Sequence, residues 1–255
     1  MNGLCIRDWY NEAMKQRLDK LMVARGLVAT RSEAANWIQL GRVYVNGRVA
    51  VKAGEFVDEA SDVAMSAPER YVSRAGLKLA SVAHKFAVSF DDAVVLDVGS
   101  STGGFTDYAL QHGARFVYAV DVGTNQLHPT LRKDVRVELH EKTDIRDFSP
   151  AQVPDVIVID VSFISLRQIL PHIRTLAGLN TKIIAMVKPQ FEAGRGQLGR
   201  SGVIKNNTIR RQILADFEVW AKHYFVIIDK KDSDVAGVKG NLERFYELRL
   251  AKNGG

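Results

Sequence analysis

Four residues in this chain have side chains suited to moving a proton: Lys78, Asp160, Lys188 and Glu243. Asp160 closes the apolar run 155–160 and Lys188 closes the run 183–188. A lysine ending a buried strand is costly unless it is paired. Lys78 lies in a helical stretch, and Glu243 opens the last apolar segment. Two lysines and two acids in one place suit removal of a proton from a poor nucleophile such as a hydroxyl. A lysine acts as base only when its charged form is disfavoured, by desolvation and by a second ammonium. Lys78 is expected to supply that second charge to Lys188. Asp160 and Glu243 are expected to orient the ammonium groups and compensate them. Such chemistry needs no metal, and most of its rate would come from positioning. Spacing alone does not bring the four together; each taken singly also suits a surface position.

A second constellation is the glycine-rich turn DVGSSTGGFT at 97–106. It follows an apolar strand at 94–98 and precedes a helical stretch at 104–112. Gly99, Gly103 and Gly104 allow a ligand to approach the backbone closely. No Gly-Lys-Ser/Thr follows, so the turn is not a phosphate-binding P-loop. Ser101 stands where a dinucleotide fingerprint has its second glycine. The expected ligand is S-adenosylmethionine, cradled by Gly99, Ser101, Thr102, Gly103, Gly104 and Phe105. Asp97 would receive its ammonium, Asp121 its ribose hydroxyls and Asp144 its adenine amino group. A nicotinamide dinucleotide is the alternative ligand, and a plain strand-to-helix turn with surface acids is the bland one.

These residues need a frame that places strand ends side by side. Strand patterns at 94–98, 116–121, 135–139, 155–161 and 182–187 alternate with helical ones at 104–112, 165–177 and 207–222. That alternation predicts an α/β fold, a doubly wound sheet with helices on both faces. Segments 224–229 and 245–250 have only a loop between them, so the sheet is expected to finish with an antiparallel strand. Ligands bind such sheets at the carboxyl ends of their strands. The helix carrying Lys78 is expected over 71–86, starting near Ser73.

Ahead of this domain, residues 15–66 form a small α+β unit. Leu18, Leu21, Met22 and Leu27 mark one helix, with Gly26 as its stop. Thr30 or Ser32 caps a second helix that ends at Gly41. Asn46-Gly47 is a hairpin signal between 43–45 and 48–51, and a further strand covers 62–65. Residues 67–76, containing Pro68, are expected as linker, and 77–252 as the larger domain. Residues 1–14 are expected to be a disordered extension. They lack the apolar core of a secretory signal.

Across 255 residues the net charge is +6, and the segment from Lys15 to Lys52 accounts for all of it. That segment holds eight basic residues, Arg17, Lys20, Arg31 and Arg42 among them, against Asp19 and Glu33. Concentrated basic charge is a footprint for a polyanion; a solvated basic face is equally compatible. The single cysteine, Cys5, rules out an internal disulfide. No apolar run approaches the length of a membrane span.

With these segments in hand the chain resembles the TlyA/haemolysin-A family of ribosomal RNA 2′-O-methyltransferases, whose catalytic domain is FtsJ-like and Rossmann-like. The resemblance runs over nearly the whole chain from Lys15. It rests on RLDK at 17–20, YVSRAGLKL at 71–79, the turn at 97–106, DVSF at 160–163, VKPQFE at 187–192 and GVKGN at 237–241. It implies that Lys78, Asp160, Lys188 and Glu243 form a catalytic Lys-Asp-Lys-Glu tetrad, and that residues 15–66 are an alpha-L RNA-binding domain. The adenine-side residue is often asparagine in this family and is Asp144 here. The implied substrate is the 2′-hydroxyl of cytidine in large-subunit ribosomal RNA, with the small subunit also a target in some members. The partners are then ribosomal RNA or subunits, the location cytoplasmic, and neither metal nor membrane is involved. Arg17, Lys20, Arg31 and Arg42 would meet phosphates. Arg195 and Arg200, in the glycine-rich segment 192–202, would do so from a loop that orders over RNA; a plain crossover loop is the alternative there. Two rival classes are a membrane-active haemolysin and an RNA-binding protein with an inactive methyltransferase fold.

Overall fold

The computed structural model describes residues 15–39, 41–66, 71–194, 203–204, 206–235 and 241–251. Cys5, Arg195, Arg200 and the expected N-terminal extension lie outside them. The chain divides into two units at position 67/68.

In the first unit, β1 (Lys15–Arg17) leads into α1 (Leu18–Ala24), followed by α2 (Arg31–Gln39), β2 (Val43–Val45), β3 (Arg48–Val49), β4 (Phe56–Asp58) and β5 (Val63–Met65). β1 pairs with β4, and β2 lies between β3 and β5, all antiparallel. Leu18, Leu21 and Met22 pack with Ala34, Ile38, Val43, Val57 and Val63 in one apolar core. Gly26, at φ +69°, ends α1 as expected. Leu27 thereby falls beyond the helix and is exposed, and Val28 takes the buried place. Thr30, not Ser32, caps α2: its Oγ1 accepts from Glu33 N at 3.1 Å. Asn46 and Gly47 both have positive φ and turn the hairpin. The strands β1 and β4 were not foreseen, being too short for alternation to register.

The first described residues of the second unit, from Tyr71, are packed where a linker was expected. Tyr71 is buried, and Val72 N donates to Asp107 Oδ2 at 2.7 Å. The elements are α3 (Arg74–Ala83), β6 (Val94–Val98), α4 (Gly104–Gln111), β7 (Phe116–Val120), α5 (Pro129–Arg132), β8 (Val137–His140), β9 (Val156–Ile159), α6 (Leu170–Leu176), β10 (Lys182–Val187), α7 (Pro189–Glu192), α8 (Asn207–Ala221), β11 (Phe225–Asp232) and β12 (Arg244–Leu250). Seven strands form one sheet in the order β11-β12-β10-β9-β6-β7-β8. The five from β10 to β8 are parallel; β12 is antiparallel to both its neighbours. The antiparallel strand is therefore inserted inside the sheet, with β11 at the edge. Apolar side chains alternate between the faces. Leu96, Val98 and Ile157 join a core with Leu170, Ile173, Leu214 and Phe217, whereas Val95, Val117 and Val158 face Leu79, Val82, Phe105 and Ala109.

Two elements differ from their sequence pattern. The helix expected over 165–177 is a 3₁₀ turn, Leu166–Gln168, followed by α6. Pro171 stands in the first turn of α6 and has no N–H to continue a helix from the residues before it. β8 starts at Val137 rather than Val135, because Asp134 Oδ1 accepts from Arg136 N (2.9 Å) and closes a turn there.

Candidate active site

Strand β6 ends at the switch point of the sheet, between β9 and β7. Gly99 follows at φ +81°, and a Cβ on it would meet Asp160 O at 2.6 Å. Only glycine lets the two strand ends come this close. Gly103 caps α4 in the left-handed region. Gly104 lies against α3, where a Cβ would come within 2.8 Å of Ala75 Cβ and Gly76 N. The turn thus fixes both the end of β9 and the start of α3. Asp121 holds the turn from the next strand: its Oδ2 accepts from Ser101 N at 2.8 Å and its Oδ1 from Gly123 N at 2.6 Å. Each oxygen keeps a further lone pair for a ligand.

Asp97 is buried beneath the turn. Thr106 Oγ1 donates to its Oδ2 at 2.6 Å, and Oδ1 has no partner. Burial pushes this carboxyl up to about 7; the hydrogen bond from Thr106 opposes the rise, and the charges of Asp160 and Asp121 add to it. A buried, half-satisfied carboxylate is a socket for a cation. Ser100 Oγ is likewise buried without a partner.

Two cavities open around the turn. One, of roughly 330 Å³, is lined by Gly99, Ser101, Asp121, Asp144, Ile145 and Phe163 among others. The other, of roughly 140 Å³, is lined by Ser73, Asp97, Thr102, Gly104, Phe105 and Lys188 among others. Gly99, Ser101, Asp160 and Ser162 border both. Asp144 is held by Arg146, which donates from Nε (3.0 Å) and Nη2 (2.6 Å), and this pair draws the carboxyl down to about 2.

The four residues Lys78, Asp160, Lys188 and Glu243 form two ion pairs. Lys188 Nζ lies 2.6 Å from Asp160 Oδ1 and donates to Ser162 Oγ at 2.8 Å. Lys78 Nζ donates to Glu243 Oε2 at 2.5 Å. The last register pair of β10 and β12 is Val187 with Arg244, so Lys188 and Glu243 are the next residues out on adjacent strands. Each ammonium thus has one carboxylate, Asp160 for Lys188 and Glu243 for Lys78, as orientation and compensation by the two acids required. Lys188 and Asp160 line the smaller cavity; Lys78 and Glu243 are not among its described lining residues.

Several contributors were missed by sequence reasoning. Thr106 and Ser162 bind the charged groups directly. Glu192 is buried and ties α7 to the segment after β9: Oε2 accepts from Ser165 Oγ (2.6 Å) and Oε1 from Leu166 N (2.7 Å). Phe163 is 92% exposed at the mouth of the larger cavity, at φ +66°, with its ring 5.3 Å from that of Phe191. A bulky residue in the left-handed region is strained, and such strain gathers at functional sites. Glu192 and Phe163 both sit in quoted motifs, VKPQFE and DVSF, which was the available signal.

In the first unit, Lys20 is exposed on α1 and Arg42 half-buried before β2. Arg17 and Arg31 both bond to Asp19.

The FtsJ-like methyltransferase family matches residues 71–249, and the S4 domain family matches residues 16–63. The chain belongs to the TlyA/haemolysin-A family of FtsJ-like methyltransferases. It is 43% identical over 246 residues to a Bacillus subtilis protein provisionally named the rRNA methyltransferase YqxC, covering 94% of this chain and 88% of that one. It is 38% identical over 243 residues to the 16S/23S rRNA (cytidine-2′-O)-methyltransferase TlyA of Mycobacterium tuberculosis, covering 93% and 91%. A solved structure from Streptococcus thermophilus, provisionally named a hemolysin, superposes with a TM-score of 0.69 at 39% identity, covering 94% and 90%. Among the described residues, no helix is long and apolar enough to cross a membrane, and no group of His, Cys, Asp and Glu is arranged to hold a metal ion.

Proposed function

We propose that this protein is a cytoplasmic enzyme that transfers a methyl group from S-adenosylmethionine to the 2′-hydroxyl of a cytidine in ribosomal RNA. The large subunit is the expected target, and the small subunit a second one. The observation carrying this reading is the joint lining of one cavity by Asp97, whose Oδ1 is buried without a partner, and the Lys188–Asp160 pair. The buried free oxygen of Asp97 suits the ammonium of a methionine moiety. Asp121 suits the ribose hydroxyls, and Asp144 the adenine amino group from its place on the larger cavity. When bound there, S-adenosylmethionine supplies a sulfonium-borne methyl group.

The chain's own residues do the rest. Lys188 Nζ would take the proton of the 2′-hydroxyl as that oxygen accepts the methyl group from the bound cofactor. Asp160 then faces the ammonium that results, and Ser162 fixes where Nζ points. Lys78 and Glu243 hold α3 to the start of β12 and compensate each other. Phe163 offers an exposed aromatic face to a base of the RNA. The relatives' names support the choice of cytidine and of ribosomal RNA. The test is transfer of tritiated methyl groups to separated ribosomal subunits, with the modified position mapped. Lys188→Ala is expected to bind the cofactor with unchanged affinity and to transfer nothing. Transfer at the wild-type rate removes Lys188 as the base.

A further inference from the structure

Asp19 is one of two acids in the basic stretch 15–52, and its side chain is only 5% exposed. It engages two arginines at once. Arg17 donates from Nε to Oδ1 (3.1 Å) and from Nη2 to Oδ2 (2.8 Å). Arg31 donates from Nε (3.1 Å) and Nη2 (2.9 Å), both to Oδ2. The two arginine side chains remain 37% and 53% exposed. The anion is itself fixed, since Asp19 N donates to Ala53 O at 3.0 Å. Gly54 closes the other side of Arg17: a Cβ there would lie 3.2 Å from Nη2 and 3.3 Å from Cζ. Exposed Phe56 is paired with Arg17 across β1 and β4.

Two guanidinium groups left to themselves repel, and each samples many rotamers. Here one buried carboxylate holds both, with one edge of each fork committed and the remaining N–H donors available to solvent. Planar forks held in this way suit the oxygens of a phosphate. We propose that Asp19 is a positioning residue for RNA: it presents Arg17 and Arg31 together as a pair that binds the phosphodiester backbone. The proposal rests on the reading of ribosomal RNA as substrate. It reverses the sign that charge counting assigns to Asp19. An acid in a basic patch repels a polyanion; this one strengthens binding by ordering two cations beforehand.

The test is filter binding of the full chain to deproteinised ribosomal RNA over a range of salt. Asp19→Asn raises the net charge by one, yet is expected to bind about tenfold more weakly, because two long side chains must then be ordered on binding. Its salt dependence is expected to flatten as phosphate contacts are lost. Glu55→Gln removes the same charge from an exposed position in the same unit and is expected to bind as tightly or more so. Gly54→Ala leaves every charge in place and crowds the Arg17 guanidinium; weaker binding at an unchanged melting temperature is expected, which separates positioning from folding. The proposal is overturned if Asp19→Asn and Glu55→Gln behave alike, or if Gly54→Ala binds as wild type. If wild type itself shows no salt-dependent binding, the RNA reading fails and the proposal with it; if wild type binds and only the Asp19→Asn loss is missing, the proposal fails alone.

Discussion

Replacing Asp97 by asparagine tests how the turn works, because it keeps the shape and removes the charge. The carboxyl stands at about 7 in the folded protein against 3.8 for an ordinary aspartate. The folded chain therefore binds a proton more tightly than the unfolded chain. Between about pH 4 and pH 7 the folded state retains that proton and the unfolded state has lost it, so this group's contribution to stability falls as pH rises through the window. At about 1.36 kcal/mol per pH unit, the interval bounds the cost at roughly 4 kcal/mol above pH 7. An asparagine side chain at this position has no such cost: its carbonyl accepts from Thr106, and its amide takes the place of the unpartnered Oδ1. The stability of Asp97→Asn relative to wild type should therefore rise by up to about 4 kcal/mol from pH 4 to pH 8. Urea denaturation of both proteins without cofactor, at steps of pH, measures that difference and cancels the carboxyls common to both. Cofactor binding should move the other way. The variant loses a charge-assisted contact to an ammonium, about 1.5–3 kcal/mol, or roughly 10- to 150-fold in Kd by calorimetry. A stability difference flat across pH, or cofactor affinity equal to wild type, refutes the account of Asp97 as a charged socket maintained at a cost in stability.

Three further substitutions probe the supports of the site. Gly104→Ala puts a methyl within 2.8 Å of Gly76 N and Ala75 Cβ; a loss of about 1–3 kcal/mol in urea melts and a lower kcat are expected, since α3 carries Lys78. Glu192→Ala leaves Leu166 N and Ser165 without their acceptor, and should cost about 1–3 kcal/mol of stability by the same assay. Phe163→Ala should leave the melting temperature unchanged, because the ring is exposed, and raise KM for RNA by a factor matching about 1–3 kcal/mol of lost stacking; an unchanged KM removes the ring from substrate contact.

The frame of the site was readable because its signals are local. Val94–Val98 followed by Gly99, Gly103 and Gly104 announces a strand, a tight turn and a helix within about a dozen residues. The same holds for Ser73, whose side chain caps α3 near where the helix was expected to start. What was missed depends on chain segments meeting in space. Lys78 and Glu243 are 165 positions apart, and spacing did not reveal that they pair with each other. β1 and β4, three residues each, carry no period of their own and exist because they pair. Asp19 was counted as one negative charge among eight positive ones. Its burial, and its grip on Arg17 and Arg31, belong to the fold of 15–58 and not to the composition. Leu27 fits the stripe of α1 by type, but Gly26 turns the backbone before it arrives.

The insertion of β12 between β10 and β11 has a consequence for the timing of synthesis. β11 emerges from the ribosome before β12, yet has no strand to pair with until β12 slides in beside β10. Glu243, the partner of Lys78, arrives with that same last segment. A nascent chain can complete the glycine turn and the five parallel strands while still lacking a closed sheet and a compensated Lys78. A chain truncated before β12 keeps the whole of the glycine turn yet leaves β11 unpaired and Lys78 without its carboxylate.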